Sequence, residues 1–161
     1  VLFADRLWQA MAGADRWFTN GFTYAGHPVA CAAALKNIEI MEREDIPGNA
    51  ARVGAYFQTR LAELNDLPIV GETRGAALIA CVESVADKAT MRKLPDDIDI
   101  GKRISDAAET LGLMVRPMGH QNVMSPPLVI TEDQVDFTVE TLGRAIAGVT
   151  DALVRDGVKV G

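Results

Sequence analysis

The segment that most constrains how this chain can fold lies near its end. Thr131 is followed three residues later by Gln134, and then Val135, Val139, Leu142, Ile146, Val149 and Leu153 recur every 4, 3, 4, 3 and 4 residues. Thr131 and Gln134 have the spacing of a capping box, in which each side chain satisfies a backbone N–H left open by the first turn. The stripe behind them makes a long helix with one apolar face. Such a face needs a cover, which a coiled-coil partner or a sheet can provide. Because helical and strand-like runs are mixed in the rest of the chain, helix-on-sheet packing is the expected arrangement.

The remaining pattern supplies the sheet and more helices. Residues 1–4 read as the end of a strand, and Asp5 as the cap of a short helix stopped by Gly13. A loop rich in aromatic and turn residues leads to Pro28, a first-turn proline, and a helix to about Glu44. Cys31, Ala34, Leu35, Ile38 and Met41 form its expected buried face. Pro47-Gly48 is the clearest break and the expected domain boundary. Asn49 then caps a helix with the stripe Ala50, Val53, Phe57, Leu61 and Leu64, ended at Pro68. Strands over 69–71 and 76–83 flank Arg74-Gly75, the second covered on both faces. A polar loop leads to a helix over 99–111 that Gly112 ends. Strands over 113–116 and 122–124 follow, joined by a turn at Gly119, before Pro126-Pro127. The fold class is therefore α/β, with an α+β unit over 48–161 in which helices pack on a small, mostly antiparallel sheet.

Composition narrows the function. With 161 residues, 48% hydrophobic and 24% charged, the chain has material for a globular core. A net charge of −6 without a basic run argues against nucleic acid or an anionic membrane surface as partner. No apolar run is long enough to span a bilayer, and Val1 onward carries no leader pattern. The chain starts without Met and in mid-pattern, which reads as a fragment. Cys31 and Cys81 both lie in apolar runs and are expected as buried free thiols in a reducing, cytoplasmic setting. The two His and two Cys have no metal-ligand spacing, so no metal site is expected.

Three groups of residues could carry chemistry. In Gly21-Phe22-Thr23-Tyr24-Ala25-Gly26-His27-Pro28, a hydroxyl and backbone N–H groups converge before a helix N-terminus. That suits a phosphate, and equally a turn whose hydroxyl only caps it. His27 beside Pro28 is open between a general base and a capping and packing role, with packing favoured. Arg116, at the end of a short apolar strand, is either a surface charge or a carboxylate clamp. Arg74 reads as one half of a structural ion pair. Lys36, Lys88, Lys93, Lys102 and Lys159 lie on helix faces or in polar loops, and none is placed as a desolvated nucleophile.

The run from Asn20 through Leu35, Asn20-Gly21-Phe22-Thr23-Tyr24-Ala25-Gly26-His27-Pro28-Val29-Ala30-Cys31-Ala32-Ala33-Ala34-Leu35, closely resembles a segment of the class III aminotransferases, above all their ω-transaminase branch. Arg74-Gly75, Gly112-Leu113-Met114-Val115-Arg116 and Ser125-Pro126-Pro127-Leu128-Val129-Ile130-Thr131 follow in the family's order, so the resemblance covers essentially the whole chain. It implies a fold type I homodimer that uses pyridoxal 5'-phosphate to move an amino group from an amine or ω-amino acid to a keto acid. By the same resemblance, Thr23 donates its hydroxyl to the cofactor phosphate of the partner subunit, and Phe22 belongs to the cofactor wall. Arg116 is the mobile arginine that pairs with a substrate carboxylate.

The resemblance also implies limits. Family members that use 2-oxoglutarate usually carry an arginine where this chain has Val123, Met124 and Ser125, which points to pyruvate as acceptor. Asn20 and Ala77 stand where the family often has His and Gly. The Schiff-base lysine falls upstream of Val1, so residues 1–47 correspond to the tail of the large cofactor-binding domain and residues 48–161 to the C-terminal small domain. No catalytic residue is expected in this chain, which alone should be inactive and should not hold the cofactor stably. An aminomutase and a 2-oxoglutarate-dependent aminotransferase remain open, as does a non-catalytic binding or scaffold module with the small-domain fold.

Overall fold

A computed structural model describes residues 4–13, 15–16 and 21–160. The strand end expected at Val1 to Phe3 and the loop residues Trp17, Phe18 and Asn20 lie outside them. The chain separates into two compact units, Val1–Ile40 and Met41–Gly161.

In the first unit, α1 spans Asp5–Met11. Ala4, not Asp5, is its N-cap residue, and Asp5 sits in the first turn, where its charge complements the helix dipole. Helix α2 spans Pro28–Arg43 and opens on the proline as expected. Its stripe is not buried: Leu35 is 69% and Ile38 51% exposed, and Cys31 is exposed as well. A periodic stripe states a demand for cover, and none of the described elements meets it.

The second unit takes in the last residues of α2 and then α3, Ile46–Ala62. Asp45, in a left-handed conformation at φ 46°, makes the break before it. Pro47-Gly48 therefore lies inside the first helical turn and breaks nothing, because a first-turn proline has the right φ and no hydrogen bond to lose. Asn49 is inside α3 too. Instead of capping, its Nδ2 donates to the carbonyls of Leu128 at 2.9 Å and Ile130 at 3.2 Å. A short 3-10 turn over Glu63–Asp66 ends the helix before Pro68 is reached.

Four strands form one antiparallel sheet in the order β1-β2-β4-β3. They are β1 Val70–Ala76, β2 Ile79–Ser84, β3 Arg116–Met118 and β4 Gln121–Met124. Arg74-Gly75 lies within β1, since a side chain at position 75 would stand 2.1 Å from the Ile79 carbonyl in the adjacent strand. Helix α4, Ile100–Thr110, and helix α5, Glu132–Arg155, complete the unit. Gly112 ends α4 at φ 89° and Gly119 turns β3 into β4 at φ 60°.

The core lies between α3, α4, α5 and one face of the sheet. Phe57 and Leu61 of α3, Ile100 and Ile104 of α4, and Ala80 and Val82 of β2 are all at most 1% exposed. The six stripe residues of α5 join them, and its capping box forms with both reciprocal bonds. The stripe is covered mainly by α3 and α4, and it is these two helices, not α5, that lie against the sheet, so the expected helix-on-sheet packing holds for them and helix-on-helix packing for α5. The sheet's other face has no such layer: Ile79 is 64% exposed and Cys81 half-buried, so β2 is covered on one face and not on both. Both cysteines are free, but neither is fully buried. No helix among the described residues is long and apolar enough to cross a membrane.

Two details of this packing are testable by equilibrium unfolding. Helix α3 crosses the β1–β2 turn so closely that a Cβ on Gly54 would lie 2.6 Å from Ala77 Cα, whereas a Cβ on Gly148 of α5 meets nothing within 4 Å. Gly54→Ala should cost about 1–3 kcal/mol through overpacking, and Gly148→Ala should add about 0.4–1 kcal/mol by stiffening the unfolded chain. Alongside, Asp136 of α5 accepts from Tyr56 Oη and from Arg60 Nε of α3, each at 2.7 Å. The Tyr56 hydrogen bond first, then Arg60, holds the Asp136 carboxyl below its ordinary value of 3.8. A depressed carboxyl stabilises the fold above its unfolded value and loses that contribution as the pH falls through the folded one. Wild type should thus be more stable than Asp136→Asn above about pH 4, and denaturation midpoints should converge as the pH falls further.

Candidate functional site

The segment before α2 is an exposed turn. Ala25 N donates to Phe22 O at 2.9 Å and His27 N to Tyr24 O at 3.2 Å, with Gly26 at φ 75° reversing the chain. The His27 carbonyl accepts the first helical hydrogen bond, from Cys31 N at 2.9 Å. His27 serves α2 through its backbone, and its exposed side chain has no packing role in this structure. Phe22 is 78% and Tyr24 81% exposed. The Thr23 hydroxyl has no hydrogen-bond partner among the described residues. The amides of Val29 and Ala30 precede the first helical bond and carry the partial positive charge of a helix start. A free hydroxyl and open amides in one short segment are the donor set that a phosphate dianion takes, so these residues fit the cofactor that the sequence motif implies.

Arg116 sits in the second unit, in β3, one of the sheet's two edge strands. It pairs with Val123, and there the β3–β4 ladder ends. Beyond that pair, residues 113–115 and 124–126 border a cavity of about 450 Å³ that also reaches Phe57 of α3 and Thr138 of α5. Leu113, Val123, Met124 and Pro126 make its walls largely apolar, and among the described residues Arg116 is the one charged residue on its lining. The Arg116 guanidinium makes no ion pair or hydrogen bond among the described residues.

Arg74 shows the opposite outcome on the same sheet face. The register runs Arg74 to Cys81, Cys81 to Val123 and Val123 to Arg116, one row across all four strands. At one end, Arg74 Nη1 meets Glu83 Oε2 at 2.5 Å and Glu72 Oε2 at 2.9 Å, the structural ion pair expected of it. At the other end no carboxylate answers Arg116. Between them, burial pushes the Cys81 thiol up, against the pull of Arg74 and Lys93, which disfavours a reactive thiolate.

Glu83 was not singled out by sequence reasoning. It is 9% exposed and is held by Arg74, by Lys93 and, at 3.4 Å, by Gln121 Nε2. The available signal was a carboxylate in the apolar strand β2, at the parity of Ile79 and Cys81. Four of the five lysines are engaged too, and Lys159 has no partner among the described residues. Lys36 binds Glu39, Lys102 binds Asp106, Lys93 binds Glu83, and Lys88 donates to the Asn65 and Leu67 carbonyls.

Comparison with known proteins places the chain. The sequence profile of the family described as Aminotransferase class-III matches residues 2–146. Over 163 residues the chain is 39% identical to the diaminobutyrate–2-oxoglutarate transaminase of Halomonas elongata, covering 98% of this chain and 35% of that protein. Over 138 residues it is 41% identical to the putrescine–pyruvate aminotransferase of Pseudomonas aeruginosa, covering 85% and 30%. Its fold is similar to that of an (S)-enantioselective omega-transaminase from Thermomicrobium roseum, with a TM-score of 0.83 and 41% identity over 91% of this chain and 33% of that one. The chain spans about a third of the length of the curated relatives it matches.

Proposed function

This chain belongs to the class III aminotransferase family, and on that premise we propose that it is the C-terminal portion of an enzyme that transfers an amino group from an amine or ω-amino acid to a keto acid. Residues 1–47 are assigned to the tail of the large cofactor-binding domain and residues 48–161 to the small domain. Pyridoxal phosphate, when bound, supplies the aldehyde and the electron-accepting ring. This chain's part is to hold and to select. Thr23 donates its free hydroxyl to the phosphate of the cofactor across a homodimer, beside the open amides at the start of α2, and Phe22 walls the cofactor. The exposed apolar side chains of α2, Val29, Leu35 and Ile38, support association with further protein surface. Its two free thiols fit a reducing, cytoplasmic setting.

The observation that carries the substrate reading is the unpaired guanidinium of Arg116 on the lining of an apolar cavity. A planar guanidinium binds a carboxylate through two parallel hydrogen bonds, and does so strongly where water is excluded. Pyruvate offers one carboxylate to one guanidinium. The second carboxylate of 2-oxoglutarate would need another cation, and residues 123–125 on that lining are Val, Met and Ser. Among the described residues, no lysine lines the Arg116 cavity, which supports the expectation that this chain alone is inactive.

In the full-length enzyme, Arg116→Ala should lower kcat/KM for an amino-acid donor by the equivalent of about 1.5–3 kcal/mol, the scale of a hydrogen bond to a charged group. An uncharged amine should lose far less, and equal losses for both donors would make Arg116 structural. Thr23→Ala should weaken cofactor retention by about 1.5–3 kcal/mol, roughly 10- to 150-fold, read by equilibrium dialysis of the cofactor. Unchanged retention would remove Thr23 from the phosphate site.

A further inference from the structure

The hairpin that carries Arg116 is held by α4 at both ends. At the turn, Gly101 N donates to Gly119 O at 3.1 Å, and Asn122 Nδ2 donates to Gly101 O at 2.9 Å. A Cβ on Gly101 would lie 2.3 Å from the Gly119 carbonyl, so the helix start sits flush on the turn. One helical turn further along α4, the Ser105 hydroxyl donates to the Val115 carbonyl at 2.9 Å. Pro117 has no N–H, so the hydrogen-bonded pairs of the β3–β4 ladder must be Arg116–Val123 and Met118–Gln121. The carbonyl just before Arg116 therefore faces away from β4. On an edge strand such a carbonyl has no neighbour to bond, and Ser105 takes it.

We propose that Ser105 is a positioning residue for Arg116: by holding the Val115 carbonyl against α4, it fixes the point from which the guanidinium reaches a substrate carboxylate. The proposal rests on the reading of Arg116 as the carboxylate partner. A bidentate guanidinium–carboxylate pair tolerates little displacement. With both ends of the hairpin fixed, only the Arg116 side chain has to move when the substrate changes. An uncharged amine does not engage the guanidinium and should be indifferent to where it starts.

The test uses the full-length enzyme. Ser105→Ala removes the hydroxyl at a site where alanine favours the helix, so the fold should survive. It should lower kcat/KM for an amino-acid donor by about three- to ten-fold, the worth of one neutral hydrogen bond, and leave an uncharged amine unchanged. Ser105→Thr, which keeps the hydroxyl, should restore the amino-acid rate, and Ser105→Cys, a weak donor of similar size, should behave like Ser105→Ala. In Ser105→Ala the amides of Arg116 and Met118 should also exchange faster with solvent, while those of α5 do not. Equal losses for both donors, or unchanged exchange at Arg116 and Met118, would overturn the assignment. Arg116→Ala measured in parallel separates the two ideas. If it leaves the donor preference intact, the carboxylate reading fails and this proposal with it. If it abolishes the preference while Ser105→Ala changes nothing, only the role of Ser105 fails.

Discussion

Burial of one face of α5 organises the second unit. Val135, Val139, Leu142, Ile146, Val149 and Leu153 are each at most 7% exposed, and α3 and α4, which themselves lie on the sheet, close around them. Each such side chain contributes about 1.5–3 kcal/mol on leaving water, against a net stability of about 5–15 kcal/mol for a typical domain. No polar contact in the unit approaches that total. The ion pairs along α3 and α5, such as Arg52–Glu132 and Arg60–Asp136, flank the buried face and set how the two helices lie along each other. Exposed pairs of that kind add little stability.

The functional surface arises where this packing stops. The helices cover one face of the sheet, and the other face displays the row Arg74, Cys81, Val123 and Arg116. Two guanidiniums stand at its ends. Arg74 is neutralised by Glu72 and Glu83, while Arg116 makes no ion pair among the described residues and lines an apolar cavity. Arg116 is exposed in β3, so its unpaired charge is solvated at rest, and its guanidinium can turn without first breaking an ion pair. The edge position of β3 permits that freedom, and the bonds from α4 limit it to the side chain.

Local features were legible because neighbouring residues decide them. The capping box of Thr131 and Gln134, the proline that opens α2, and the turns at Gly112 and Gly119 all formed as their chemistry requires. The family motif could be identified from the order of short segments alone. Errors arose where a local signal has two structural meanings. Pro47-Gly48 reads as a break, yet a proline in the first turn of a helix is harmless, and the true break is the left-handed Asp45. Asn49 looks like a cap, yet its amide bonds the Leu128 and Ile130 carbonyls about eighty positions away. The stripe of α2 stated which face wants cover but not what would cover it.

The sequence by itself determined the periods, the capping box of α5, the turns at Gly112 and Gly119 and the family, because each depends on residues a few positions apart. It also named Thr23, Phe22 and Arg116 as the residues to examine. Only the tertiary structure decided which charges meet. Strand register put Glu83 against Arg74 and left Arg116 facing Val123, and helix placement put the Ser105 hydroxyl on the Val115 carbonyl. Such pairings depend on how separate elements dock, and docking is set by the shared burial of many side chains. A charged residue alone in a sequence therefore reveals its chemistry but not its partner.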